Sequence, residues 1–183
     1  MSKQAAFSSI FAAIAIIAAP SLVQMPETQA LAQTKKFFCD TSGQFPATMA
    51  RSNNSNVRLI SWRSTVGDYD PATRCRQVSE RFQSFHQQGR LRYITSGRSR
   101  ETNSNIICVA DRKDGPCATD GLLFTLRPGR SPSETLREMF RLNLAVGSDG
   151  LRETTERIYV DPEACLKIWE KDANQTCAPA NQP

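Results

Sequence analysis

Apolar residues follow three rhythms along this chain. The first is an unbroken run from Ile10 to Ala19, with Lys3 before it, Pro20 after it and the small-residue site Ala30-Leu31-Ala32 beyond. A positive start, a short apolar stretch and an A-x-A site are the parts of a secretory signal peptide. The run is too short to span a bilayer, which takes about 20 residues. Residues 1–32 are therefore expected to be removed as a signal peptide, leaving an exported chain that starts at Gln33.

The second rhythm is that of strands: short apolar segments between polar turns. Phe37-Phe38-Cys39, Ala47-Thr48-Met49-Ala50 and Val57 to Trp62 predict a three-stranded meander, with Ser42-Gly43 and the cluster Asn53 to Asn56 as turns. Leu91 to Thr95 and Ile106 to Ala110 predict a hairpin joined by a polar connection, Ser96 to Asn105. Leu122 to Leu126 follows after the turn Asp114-Gly115-Pro116. Residues 106–110 and 122–126 are apolar at both alternate positions, as in central strands covered on both faces. Gly97 and Gly115 read as turn glycines, and Ile158-Tyr159-Val160 as one short strand more.

The third rhythm is helical. Cys75, Val78, Phe82 and Phe85 recur at spacings of three, four and three, which places them on one helix face. Asp70-Pro71 opens that helix, since Asp accepts a bond from a free N–H and Pro lacks the N–H that would go unpaired. Gly89 is its natural stop. Ser131-Pro132-Ser133-Glu134 is a capping box starting a second helix through Leu136, Met139, Phe140 and Leu144, ended by Gly147-Ser148-Asp149-Gly150. Asp161-Pro162 repeats the start signal ahead of Leu166, Ile168 and Trp169. The tail from Asp172 is polar and is expected to be loose after Cys177.

Residues 33–183 have single-domain length and can bury a core without metals or cross-links. Strands predominate in 37–62 and 91–126, with helices between and after them rather than in regular alternation. The expected class is α+β: a mainly antiparallel sheet with two or three helices packed on it, stabilised by disulfides.

Cys39, Cys75, Cys108, Cys117, Cys165 and Cys177 all lie beyond the signal peptide. An even number in an exported chain implies three disulfides, with 15 possible pairings. Short loops close at low entropic cost, which favours Cys165–Cys177 and, by the same argument, Cys39–Cys75 and Cys108–Cys117, the last clipping the turn at Gly115. No C-x-x-C spacing occurs and there is one histidine, so no metal site is expected.

Charge adds an asymmetry. Residues 51–113 hold 12 Lys/Arg against 5 Asp/Glu, whereas residues 114–183 hold 8 against 11. Arginine outnumbers lysine 17 to 6, and its planar fork suits bidentate contact with carboxylate, phosphate or sulfate. Arg90, Arg92, Arg98 and Arg100 cluster in sequence. Strand alternation would put Arg90 and Arg92 on one side and Leu91 and Tyr93 on the other. These four are the candidate binding residues for an anionic partner, an acidic polysaccharide or an anionic membrane surface.

Catalytic motifs are scarce. His86 near a helix C-terminus is explained by the favourable charge interaction there. Gly147-Ser148-Asp149-Gly150 lacks the spacing of a nucleophile elbow. No phosphate loop or dinucleotide fingerprint occurs, so no cofactor is expected. Asp111, Asp114 and Asp120 lack calcium-loop spacing and read as solvating the turn at Gly115. Aromatic residues beside arginines, at Trp62-Arg63, Arg81-Phe82 and Arg92-Tyr93, could suggest nucleic acid, but export argues against that partner and core packing explains them better.

The sequence resembles the circadian-oscillating protein family of cyanobacteria. The resemblance rests on Phe37-Phe38-Cys39, Pro46-Ala47-Thr48, Ile60-Ser61-Trp62, Arg74 to Gln83, Gly89 to Ile94, Ile107 to Ala110, Cys117 and Gly121 to Leu126, and it covers most of residues 37–145. It implies an exported cyanobacterial protein with a daily rhythm of transcript or abundance and an association with a membrane. It supplies no catalytic residues. Cys39, Cys75, Cys108 and Cys117 match the family's cysteines, and Cys165 and Cys177 look like an addition, which fits their pairing with each other. The functional expectation is an exported, non-enzymatic domain that binds an anionic surface or partner at the cell envelope. A carboxylate-dependent hydrolase of envelope polysaccharide and a structural envelope component are the alternatives.

Overall fold

The structure, a computed structural model, describes residues 35–53, 55–142, 157–172 and 174–180. The signal-peptide segment, Leu144 and the Gly147–Gly150 turn lie outside these residues. The fold is α+β, with two three-stranded antiparallel sheets rather than one continuous sheet. The first contains β1 (Phe37–Asp40), β2 (Ala47–Arg51) and β3 (Asn56–Ser61), in that order. The second contains β4 (Tyr93–Arg98), β5 (Asn105–Ala110) and β6 (Leu122–Thr125). Val160 exchanges backbone bonds of 2.8 and 2.9 Å with Ile94, so the short strand expected at Ile158-Tyr159-Val160 is a single bridge on the β4 edge.

Helix α1 (Pro71–Gln87) begins as its sequence dictates: Asp70 accepts from the N–H groups of Ala72 and Thr73 at 2.8 and 3.0 Å. It ends in a Schellman motif, with Gly89 at φ +66°, Gly89 N bonded to His86 O and Arg90 N to Phe85 O. Cys75, Val78, Phe82 and Phe85 are all buried. Each aromatic side chain so buried contributes roughly 1.5–3 kcal/mol. Phe82 meets Phe37 of β1 with ring centroids 5.3 Å apart. The outer face of α1 has another task. Arg74 and Arg81 donate to Thr125 O (3.1 Å) and Leu123 O (2.8 Å), covering outward carbonyls on the free edge of β6.

Helix α2 (Pro132–Phe140) starts at Ser131, whose hydroxyl accepts from Glu134 N at 3.3 Å. It stops at Phe140, short of the expected end. Arg141 turns left-handed (φ 49°), and Leu142 leaves to form a parallel bridge with Cys177. Helix α3 (Pro162–Lys171) is capped by Asp161 and stacks Trp169 on Phe140 at 6.3 Å. The expectation of a loose tail is corrected as far as Ala180. Trp169 Nε1 donates to Gln175 O at 2.9 Å, Cys177 is buried, and Ala180 N bonds Tyr159 O at 2.7 Å.

The cysteines pair as Cys39–Cys75, Cys108–Cys117 and Cys165–Cys177, with Cα separations of 5.5, 5.7 and 5.4 Å. One apolar cluster links both sheets and all three helices, from Phe37 to Cys177. The sheets meet through Trp62 and Phe124, edge to face at 5.6 Å. Behind Trp62, its Nε1 and Ser79 Oγ both reach Thr48 Oγ1 at 3.0 Å, so these buried polar atoms satisfy one another.

Candidate functional site

The four arginines singled out from sequence do not form one cluster. Leu91 and Arg92 lie in a turn ahead of β4, so strand alternation does not govern Arg90 and Arg92. Arg90 makes a bidentate pair with Asp120, both bonds 2.7 Å, lies 3.5 Å from Asp111 and packs over the Phe85 ring. The Arg90 guanidinium lowers the Asp120 carboxyl to about 2 by hydrogen bonding. Asp111 and Asp120 thus hold an arginine in addition to flanking the turn at Gly115. Arg92 is exposed. Arg98 lies within β4, not in the connection, and donates to Asn103. Arg92 immediately precedes β4 and Arg98 is its last residue, which keeps their backbones roughly 20 Å apart. Arg100 is exposed beyond it.

A denser group of arginines lies elsewhere. A cleft of about 490 Å³ opens where the two sheets meet α2, and Arg58, Arg63, Arg74, Arg127 and Arg130 all border it. Its volume is ordinary for a ligand cleft, about 300–1,000 Å³. Among the described residues the one carboxylate on its wall is Glu138, and it is paired with Arg130. Trp62, Phe124, Leu126 and Met139 form a buried apolar floor.

Each arginine is placed by a different element. Arg58 extends from β3 and is exposed. Arg63 follows β3 and covers the Phe45 ring at 4.9 Å. Arg74, in the first turn of α1, is the most constrained. Its guanidinium sits 4.5 Å over the Trp62 ring and donates to Ser64 O (3.3 Å) and Thr125 O (3.1 Å). Burial, and then the charge of Arg127, shift its proton affinity downward. Both guanidinium-bearing residues border the cleft and repel each other, and an anion between them would relieve that repulsion.

Arg63 and Arg74 lie within the basic stretch of sequence, but Arg127 and Arg130 do not, and no spacing rule joins residues 58 and 127. Trp62-Arg63 is the one local signal that touches the cleft, and its aromatic half does pack in the core.

A second groove, about 420 Å³, runs between β1 and α1 with Lys35, Arg76 and Glu80 on its rim, so its charge is mixed. His86 has a different role: its Nδ1 lies 3.1 Å from Glu163 and ties α1 to α3. Among the described residues no group of three His, Cys, Asp or Glu is arranged to hold a metal ion.

Disulfides persist in oxidising, non-cytoplasmic compartments, and no described helix is long and apolar enough to cross a membrane. No curated protein and no solved structure matches the chain. A family profile does: circadian oscillating protein COP23 matches residues 36–167, which include every residue named on the arginine cleft, and Cys165 but not Cys177. The chain therefore belongs to the circadian oscillating protein COP23 family.

Proposed function

We propose that this is an exported domain of the cell envelope that binds an anionic partner and performs no chemistry on it. The observation that supports the reading is the makeup of the cleft: among the described residues, five arginines stand against one carboxylate, itself already paired with Arg130. Most glycoside hydrolases place two carboxyl groups about the scissile bond, and the described wall of this cleft favours holding an anion over cleaving a saccharide. The family description adds a daily oscillation, which belongs to the same proposal.

The test is co-sedimentation of the mature protein with acidic polysaccharide and with anionic vesicles at low and high salt. Binding to at least one, lost as salt screens the charges, is the expected result. No binding at low salt overturns the proposal. Export is checked by the N-terminus of the mature protein, expected at Gln33 after cleavage behind Ala32. A mature chain that keeps Ile10 to Ala19 would exclude a cleaved signal peptide.

A further inference from the structure

The cleft runs along a free strand edge. Every residue from Arg58 to Ser64 borders it, and neighbours in sequence share a border only when the backbone edge itself faces the space. The register shows which groups point inward. Trp62 N bonds Pro46 O, so Trp62 and Ile60 direct their backbone toward β2 and Ser61 directs its own into the cleft. On the far side of the irregularity at Thr48/Met49, Arg51 N turns to Lys36 O. Met49 therefore faces β1, and its partner Arg58 aims its backbone N–H and C=O outward. Leu59 is the extra residue of a β-bulge. The outward donor–acceptor sets at Arg58 and Ser61 are three residues apart instead of two.

This spacing discriminates between partners. An added peptide strand needs outward groups at every second residue, and the bulge breaks that ladder. A membrane surface is broad and takes protruding charge with apolar side chains that insert beside it. Here the arginines surround a concavity, and the exposed large apolar residues among those described, Tyr69 and Leu122, do not line it. A saccharide chain needs no regular repeat from the protein. Its hydroxyls use donors and acceptors in pairs, as the edges at Arg58 and Ser61 offer. Its carboxylate or sulfate groups match the planar fork of arginine.

Resting on the anion-binding reading above, we infer that the cleft seats an acidic polysaccharide, with a carboxylate or sulfate group between Arg74 and Arg127 and sugar hydroxyls on the backbone edge of β3. Arg74 is the rigid half of that subsite, fixed by Trp62, Ser64 and Thr125. Arg127 is the exposed half.

The experiment measures binding of the mature, disulfide-bonded protein to polygalacturonate, dextran sulfate, neutral dextran, poly-glutamate and phosphatidylglycerol vesicles at physiological salt. The proteins are wild type, the cleft variant Arg63→Ser/Arg127→Ser and a charge-matched control, Arg92→Ser/Arg100→Ser. Arg74 is left intact because it also covers β6. Polygalacturonate or dextran sulfate should bind about tenfold or more tightly than poly-glutamate and vesicles. The cleft variant should lose about tenfold, and the control under about twofold, as expected when charge-assisted hydrogen bonds rather than net charge carry affinity. Equal binding of poly-glutamate or vesicles overturns the saccharide assignment and leaves the anion-binding reading standing. Equal loss in cleft variant and control overturns the cleft as its seat. Failure of every acidic probe removes both.

Discussion

Gly97 lies directly beneath Cys117: a Cβ built at residue 97 would run into the Cys117 sulfur. The sequence suggests a turn glycine, yet Gly97 sits within β4, paired with Ile106 and without a left-handed backbone. Its missing side chain leaves room for the Cys108–Cys117 bridge to lie across the strand. Gly97→Ala should therefore destabilise the oxidised protein by about 1–3 kcal/mol, the usual penalty for overpacking. Chemical denaturation checks this. In the Cys117→Ala background the Gly97→Ala penalty should shrink, because the obstructing sulfur is gone.

The three disulfides should differ in what they contribute. They close sequence separations of 36, 9 and 12 residues for Cys39–Cys75, Cys108–Cys117 and Cys165–Cys177. Chain-entropy arguments give about 4 kcal/mol for the first and about 3 kcal/mol for each of the others. Paired Cys→Ala variants, followed by urea unfolding, should show the largest loss for Cys39/Cys75. Non-reducing peptide mapping should recover these three linkages, and a free thiol at Cys75 or Cys108 would contradict the arrangement.

Thr48 Oγ1 is shared by Trp62 Nε1 and Ser79 Oγ inside the core. Thr48→Val keeps the shape and removes both partners' bond. Each donor left unpaired costs about 1–3 kcal/mol. The variant should be clearly less stable than wild type, and adding Ser79→Ala should recover part of the loss. Additive destabilisation by the two changes would refute the shared bond.

Acid should act on the Arg90–Asp120 pair in one direction. The Asp120 carboxyl is depressed to about 2 in the folded chain from an ordinary 3.8. A depressed acid favours the fold above its unfolded value, and that benefit is lost as pH falls from 3.8 toward 2. Solvent exposure keeps the effect small. NMR titration should place Asp120 well below the ordinary carboxylate range, and Arg90→Gln should return it there. The stability gap between wild type and Arg90→Gln should narrow on acidification through that window. A gap that widens would reverse the assignment.

Local sequence determined the parts of this protein whose physics is local. Asp70-Pro71, Ser131-Pro132 and Asp161-Pro162 start the helices because an N-cap needs only the next three residues. The Cys75–Val78–Phe82–Phe85 face and the strand alternation near Val57 and Leu59 are equally short-range, and short loops also brought Cys108 to Cys117 and Cys165 to Cys177. Tertiary structure decided what depends on distant partners. Arg90 is held by Asp120, 30 residues away, so a run of arginines that looks uniform in sequence has members with different surroundings. Helix α2 ends where Leu142 meets Cys177, and Gly97 is a glycine because of a sulfur it meets only after folding. The cleft is the clearest case. Arg58, Arg63, Arg74 and Arg127 come from two sheets' margins and a helix, and only the packing of Trp62 against Phe124 sets the chain segments that carry them around one space.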